Sequence, residues 1–158
     1  MSFSDFYEMT LGQLLAVQAE RFGERPYLIQ EETTYTYVQA NAQANRLAGG
    51  FQHLGLQSGD RLAVLLPNVA EHVLTIFAAA KAGLILVPIN IRRSPEEIQA
   101  RLGHTQAAGV VTFSDTDTYG RDHLALIREL QTELPDLAHV ISIDGAAAGV
   151  HGWADLAG

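Results

Sequence analysis

The sequence predicts an α/β fold: a doubly wound, mostly parallel sheet with helices on both faces, preceded by a helix and a small β-hairpin. Three observations predict it. Between Arg61 and Asn90, two short apolar runs flank an apolar stretch with helical spacing, and the whole has the size of one βαβ unit, about 30 residues. The alternation then continues to Ile143 in the order β-α-β-α-β-α-β, and helical crossovers of this kind join parallel strands. The strand segments are nearly all apolar, which is typical of strands buried on both faces.

The first elements are a helix and a hairpin. Thr10 stands three residues before Gln13, which is a capping-box pattern that satisfies two free backbone donors, and Gly23 is placed to end the helix. Two runs rich in Tyr, Ile and Thr follow, at Pro26–Gln30 and Thr33–Thr36. Because only two residues separate these β-prone runs, they predict a small antiparallel hairpin.

The second helix begins with another capping box, Thr36 with Gln39. Its apolar residues share one face and are small enough to allow close packing: Ala40, Ala44, Leu47, Ala48 and Phe51. Gly55 is placed to terminate it, with Leu56 packing back onto the last turn.

The remaining elements follow from apolar runs and their stop signals. The predicted strands are Arg61–Leu66, Leu84–Ile89, Gly109–Phe113 and His139–Ile143. The predicted helices are Val69–Ala82, one that starts at Ser94 with Pro95 and Glu97, and Arg121–Leu134. Ser114–Tyr119 is predicted to be a polar loop, and the Ala/Gly-rich tail is expected to hold only a short helix, Trp153–Leu156.

Composition and charge exclude several classes of function. A net charge of −8 does not favour nucleic acid or an anionic membrane surface as a partner. The chain has no Cys, so disulfide and thiolate chemistry are excluded. The N-terminus has no apolar core of a secretory signal and no apolar stretch is long enough to span a membrane, so a cytoplasmic location is the default expectation.

Familiar catalytic patterns are missing from the sequence. Neither common glycine-rich phosphate loop occurs, and Gly145, Gly149 and Gly152 have the wrong spacing for one. No two His residues have the i, i+4 spacing of a helical zinc pair, so no metal site is predicted. Asp115 and Asp117 are interpreted as a solvated loop pair. No catalytic residue is therefore assigned.

The carboxyl edge of the predicted sheet is the candidate ligand site, because ligands of open α/β sheets bind there. Asn68 and Asn90 follow two of the strands, and either can simply shape its loop. Arg92 and Arg93 come next, directly before the helix start at Ser94. Two arginines at a helix N-terminus suit a phosphate group, and a solvated or ion-paired arginine pair is the alternative.

Residues 10–145 resemble the N-terminal part of the adenylate-forming, or AMP-binding, enzymes, which include the acyl-CoA synthetases and ligases. No single motif is specific, but their order and spacing together are. The matching segments are Thr34-Tyr35-Thr36-Tyr37, Gly55-Leu56, Gly59-Asp60-Arg61-Leu62-Ala63, Leu66-Pro67-Asn68, Ala80-Lys81-Ala82-Gly83, Val87-Pro88-Ile89-Asn90 and Ser94-Pro95-Glu96-Glu97.

The resemblance implies a longer parent enzyme that uses ATP, Mg and CoA. Such an enzyme condenses a carboxylic acid with ATP and then passes the acyl group to CoA. Residues 1–145 would be its incomplete N-terminal α/β subdomain, and residues 146–158 a tail leading towards a phosphate loop that this sequence does not contain. The 158-residue chain is accordingly expected to be inactive alone and to bind none of these cofactors tightly. A fatty acyl substrate is preferred over an aryl one.

The resemblance also assigns three residues to the CoA nucleotide. Arg92 stands where family members have an arginine that contacts a CoA phosphate, Asn90 lies beside it, and Arg121 has a weaker claim. Here Ile91-Arg92-Arg93 replaces a Pro-Arg-Leu-like sequence, so Arg93 makes the phosphate ligand ambiguous. The alternative function is a stand-alone, non-catalytic association or regulatory module whose exposed sheet edge favours self-association.

Overall fold

The computed structural model describes residues 8–158. Residues 1–7 lie outside this range. They are part of the predicted subdomain of residues 1–145 and of the N-terminal segment that lacks the apolar core of a secretory signal. The elements are α1 Leu11–Phe22, β1 Pro26–Gln30, β2 Thr33–Thr36, α2 Tyr37–His53, β3 Arg61–Val64, α3 Ala70–Ala82, β4 Ile85–Pro88, α4 Pro95–Thr105, β5 Gly109–Thr112, α5 Thr116–Tyr119, α6 His123–Gln131, β6 His139–Ser142, β7 His151–Gly152 and α7 Trp153–Leu156.

The main sheet is parallel throughout, with the strand order β4-β3-β5-β6-β7. Successive residues of β3 point to opposite faces, as strand geometry requires. Leu62 and Val64 enter a core shared with α2 and α3, whereas Ala63 and the following Leu65 enter a second core with α4 and α6. Helices therefore cover both faces, and the predicted doubly wound α/β class is confirmed.

Local signals fixed most helix ends. The three capping boxes form as predicted, at Thr10–Gln13, Thr36–Gln39 and Ser94–Glu97. Gly23 and Gly83 end α1 and α3 with φ of 55° and 74°, values that favour glycine because it has no Cβ. The face predicted for α2 is the buried one.

The predicted hairpin is also present. β1 and β2 pair antiparallel, and Glu31 in the two-residue turn takes a φ of 51°. The hairpin is joined to the first βαβ unit by Gln30, whose Oε1 accepts a hydrogen bond of 2.6 Å from the Ala70 amide. This contact satisfies a free donor at the N-terminus of α3, where Val69 has no capping side chain.

In the segment after β5, one prediction was confirmed with shorter bounds and one was wrong. The expected helix Arg121–Leu134 is present as α6, which runs from His123 to Gln131 because Asp122 caps its start by accepting from the Ala125 amide at 2.9 Å. The expected polar loop Ser114–Tyr119 contains α5, which Asp115 caps through the Thr118 amide at 3.0 Å. In both places an Asp side chain satisfies the free donors of a helix start.

The tail is more ordered than the sequence indicated. The predicted helix Trp153–Leu156 is present as α7, but β7 precedes it and extends the sheet by pairing with Ile141 and Ser142 of β6. Arg46 of α2 donates from Nε to the Ala157 carbonyl at 2.7 Å, which ties the end of the tail to the sheet-covering helices. Within residues 8–158, no helix has the length and apolarity needed to cross a bilayer.

Candidate ligand site at the carboxyl edge of the sheet

A cleft opens where β3 and β4 end. Val64 and Pro88 are paired in register, so the loops that follow them leave the sheet side by side. The cleft has a volume of about 580 Å³, and its polar and aromatic lining comes from Asn68, His72, Asn90, Arg92 and Tyr119. The structure thus brings the predicted residues Asn90 and Arg92 together with the end of the β3 loop.

Asn90 shapes the loop that carries the two arginines. Its Oδ1 accepts a hydrogen bond of 2.8 Å from the Arg92 amide, and its backbone carbonyl accepts one of 3.1 Å from the Arg93 amide. An Asn side chain that bonds the backbone two residues ahead is the usual way to fold such a turn. Asn90 therefore has a structural role at the cleft rim.

The two adjacent arginines have different surroundings. Arg93 Nη1 forms an ion pair with Glu97 Oε1 at 2.7 Å, and the side chains of both are about half exposed, at 55% and 51%. Arg92 lines the cleft and has no ion-pair partner among residues 8–158. Arg92 is therefore the arginine whose guanidinium is available to a ligand.

Arg121, in the segment that follows β5, contacts the loop that carries Arg92 and Arg93. Its Nη1 donates to the Arg93 carbonyl at 2.8 Å. Arg121 and Arg92 also line a smaller adjoining cleft of about 300 Å³ together with Tyr119. One of the five guanidinium donors of Arg121 is thus used to hold the loop.

The acidic residues at the start of α4 stay ionised beside these arginines. A hydrogen bond from the Ser94 side chain lowers the pKa of Glu96, and the positive charge of Arg121 contributes a smaller lowering. The Ser94 amide lowers the pKa of Glu97, followed by its hydrogen bond with Arg93. These carboxylates offset part of the positive charge of the loop.

Two residues of this region were missed by the sequence. His123 is 1% exposed, its Nε2 lies 2.9 Å from the Ile91 carbonyl, and its ring stacks on Phe113 with centroids 4.6 Å apart. Tyr119 packs edge-on against Phe113 at 5.2 Å. Tyr119 falls at the end of the predicted polar loop and His123 inside the predicted helix Arg121–Leu134, so no sequence pattern marked either residue as part of the site.

The cleft is lined by Arg92, which has no ion-pair partner in the described part of the chain, by two Asn residues and by Tyr119. Guanidinium groups match the geometry of phosphate oxygens, and an aromatic face accepts a base by stacking. Among residues 8–158, no group of three or more His, Cys, Asp or Glu side chains could hold a metal ion. The arrangement is chemically suited to bind a phosphate-bearing nucleotide.

Comparison with known proteins identifies the family. The family model described as AMP-binding enzyme matches residues 15–155. The chain is 35% identical to the 2,3-dihydroxybenzoate-AMP ligase of Bacillus subtilis, over 84% of this chain and 24% of the ligase. It is 30% identical to the mitochondrial medium-chain acyl-CoA ligase of Rattus norvegicus, over 92% of this chain and 26% of that ligase.

A solved structure agrees with these relatives. The apo structure of MbtA from Mycobacterium smegmatis superposes with a TM-score of 0.82 at 30% identity, covering 95% of this chain and 27% of that one. The chain thus spans about a quarter of the length of the ligases it matches. The resemblance predicted from the motif order is confirmed, and the chain belongs to the AMP-binding enzyme family.

Proposed function

We propose that this chain is the N-terminal part of an ATP-dependent acyl-CoA ligase. Such an enzyme joins a carboxylate to the α-phosphorus of ATP with release of pyrophosphate, and the CoA thiol then displaces AMP to give a thioester. The family match over residues 15–155 is the observation that carries the proposal. The whole reaction requires ATP, Mg, CoA and a carboxylic acid, and the larger part of the enzyme would lie outside this chain.

The proposed division is a subdomain of residues 1–145 and a connecting tail of residues 146–158. No glycine-rich phosphate loop occurs in the sequence, so the chain alone has no means to hold the triphosphate. The test is to determine the coding sequence beyond Gly158 and to assay ATP–pyrophosphate exchange. We expect a Ser/Thr/Gly-rich loop ending in Pro-Lys-Gly downstream, and no exchange from the 158-residue chain. A stop codon directly after Gly158, or robust exchange from the pure chain, would contradict the proposal.

The proposed role of the cleft is to bind the nucleotide end of CoA. Arg92 would contact a phosphate, Asn90 would hold the loop in shape, and Arg121 would support the loop with its remaining donors free for the ligand. This assignment is supported by Arg92, which lines the cleft and has no ion-pair partner within residues 8–158. The ion pair of Arg93 with Glu97 argues against Arg93 as the ligand.

A fatty acid is the proposed substrate, and a cytoplasmic location is the proposed compartment. The medium-chain ligase among the relatives supports a fatty acyl substrate, although that protein is mitochondrial and another relative acts on 2,3-dihydroxybenzoate. A panel of aliphatic and aryl acids, assayed with the enzyme that carries this chain, tests the preference. Faster adenylation of aryl acids would overturn it, and cell fractionation tests the compartment.

One observation favours a second function, a stand-alone association module. β4 is an edge strand of the parallel sheet, and Ile85 on it is 54% exposed. Unpaired edges with apolar side chains favour pairing with another chain. Sedimentation of the 158-residue chain over a range of concentrations tests this. A monomer at all concentrations would count against self-association.

A further inference from the structure

The loop between β4 and α4, residues 90–94, is held by two side chains from the segment that follows β5. Arg121 Nη1 donates to the Arg93 carbonyl at 2.8 Å, and His123 Nε2 lies 2.9 Å from the Ile91 carbonyl. The two acceptor carbonyls flank Arg92, which lines the cleft. The segment after β5 therefore fixes the backbone on each side of Arg92.

His123 is the buried member of this pair. Its side chain is 1% exposed, and Phe113 stacks on its ring at an interplanar angle of 19°. The α6 helix starts at His123, so its backbone is fixed by the Asp122 cap as well. A side chain held on all sides in this way has few alternative rotamers, which makes its hydrogen bond a rigid support.

The partner of His123 determines its tautomer. A backbone carbonyl only accepts hydrogen bonds, so the Nε2 that faces Ile91 must carry the proton. In the neutral ring, Nδ1 is then the nitrogen without a proton, and it has no hydrogen-bond partner within residues 8–158. A buried polar atom without a partner costs free energy. Packing of the β5–α6 segment alone would be served better by an apolar ring, so the geometry points to the donor at Nε2 as the reason for a histidine.

We propose that His123 is a positioning residue, which fixes the Asn90–Arg93 loop through the Ile91 carbonyl and thereby aims Arg92 into the cleft. The role of Arg92 towards a CoA phosphate rests on the proposed function, whereas the support of the loop by His123 does not. Arg121 reinforces the same loop through a solvent-exposed hydrogen bond.

The tautomer of His123 in the unmodified chain is the first test. Nitrogen-15 NMR of the labelled imidazole distinguishes the two neutral forms, and we expect the proton on Nε2. A proton on Nδ1 would overturn the proposal, because Nε2 could not then donate to Ile91. This measurement needs no variant and so does not depend on the folding of any substituted chain.

Two substitutions distinguish the contribution of the Nε2–H donor of His123 from that of its aromatic ring. His123→Gln keeps an N–H donor at nearly the position of Nε2 but removes the aromatic ring, whereas His123→Phe keeps the stacked ring and removes the donor. We expect His123→Phe to speed amide hydrogen exchange at Arg92 and Arg93 by about fivefold to tenfold, the effect of losing one partly buried hydrogen bond. His123→Gln should raise it by less than about threefold, and amides of α2 should be unchanged in both. Equal or reversed effects of the two substitutions would show that His123 only packs.

Coenzyme A titrations distinguish failure of the positioning role from failure of the proposed function. Amide shifts of the loop are followed at millimolar coenzyme A in the unmodified chain and both variants. Weaker shifts at Arg92 in His123→Phe than in His123→Gln would support both proposals. In another outcome, hydrogen exchange follows the expected pattern while coenzyme A shifts the Arg92 amide in none of the three chains. That result would contradict nucleotide binding by the cleft but would still support the positioning role of His123.

Discussion

Trp153 donates a hydrogen bond from its indole Nε1 to the hydroxyl oxygen of Thr75 at 2.9 Å. Trp153 belongs to α7 and Thr75 to α3, and both are buried, at 5% and 0% exposure. The bond joins the last helix of the chain to the helix of the first βαβ unit. It also satisfies the one polar atom of the indole, which allows a Trp to lie in the core.

Replacing Thr75 by Val tests the importance of this bond. The two side chains have nearly the same shape, but Val cannot accept a hydrogen bond, so the indole N–H is left buried without a partner. We expect the free energy of unfolding to fall by about 1–3 kcal/mol, measured by urea denaturation.

A double substitution provides the control. In a chain that already carries Trp153→Phe, no indole N–H remains to be satisfied, so Thr75→Val should cost clearly less than it does in the unmodified chain. Equal costs in the two backgrounds would mean that the bond contributes nothing and that Thr75 acts by packing alone.

Gly49 and Gly50 are adjacent in α2, and the second prediction compares the substitution of each by Ala. A Cβ added at Gly50 would lie 2.5 Å from the carbonyl oxygen of Leu156 in α7, whereas one added at Gly49 would meet no atom of residues 8–158 within 4 Å. Ala is favoured over Gly inside a helix, so Gly49→Ala should stabilise the chain by about 0.5–1 kcal/mol. Gly50→Ala should destabilise it, because the backbone of α7 must move away.

Thermal unfolding of the two variants measures whether each substitution raises or lowers the stability of the chain. Exchange of the amides in α7 should also speed up in Gly50→Ala and remain unchanged in Gly49→Ala. If both substitutions stabilise the chain equally, α7 does not lie against α2 at Gly50 in solution.

These contacts show why some features were predictable from the sequence and others were not. The capping boxes and the buried face of α2 depend on residues three or four apart, and the sequence patterns predicted them correctly. The two-residue strand β7 has too short a pattern to detect, and it exists through its pairing with β6. The close approach of Gly50 to Leu156 likewise joins residues that are distant in the sequence.

The candidate site likewise has some features that the sequence predicted and others that only the fold revealed. The sequence pointed to Arg92 or Arg93, and the i, i+4 spacing of Arg93 and Glu97 was a usable signal for the ion pair that separates them. The placement of Arg121 against the Arg93 carbonyl, and of His123 against that of Ile91, required the fold. Both of these contacts cross from the β5–α6 segment to a loop about 30 positions earlier in the sequence.

The histidines at the opposite end of the sheet predict a dependence of stability on pH. Burial lowers the pKa of His139 below its ordinary value of 6.5, the neighbouring His151 lowers it further, and Asp60 opposes this with a smaller raising effect. The ring centroids of His139 and His151 are 6.0 Å apart. Since the folded chain binds the proton less readily than the unfolded one, this contribution to stability is present above pH 6.5 and is lost as the pH falls through the lowered pKa.

Urea denaturation at about pH 7.5 and about pH 5.5 measures this loss. His139→Gln, which cannot be protonated, should reduce the loss of stability between the two values. His104→Gln, at an exposed position in the last turn of α4, is the control and should leave it unchanged. The carboxylates with lowered pKa values, Glu96, Glu97 and Asp115, lose their contribution at lower pH, outside this window. An unchanged loss in His139→Gln would show that His139 does not titrate differently on folding.

The adjacent arginines give the last prediction, which concerns ligand binding. In a ligase that carries this chain as its N-terminal part, Arg92→Ala should raise the KM for CoA by about tenfold or more, the effect of losing one charge-assisted hydrogen bond. Arg93→Ala should change it little, because the Arg93 side chain is already paired with Glu97. ATP–pyrophosphate exchange should be unaffected in both variants, since adenylation precedes the use of CoA.

Dephospho-coenzyme A, which lacks the 3′-phosphate, tests which phosphate of CoA the proposed contact of Arg92 involves. If the partner is the 3′-phosphate, the unmodified enzyme should bind dephospho-coenzyme A more weakly than CoA, and Arg92→Ala should bind the two about equally. A penalty for Arg92→Ala that is the same with both ligands would point to the pyrophosphate bridge. A larger effect from Arg93→Ala than from Arg92→Ala would contradict the assignment, because the ion pair with Glu97 would then have to break for Arg93 to reach the ligand.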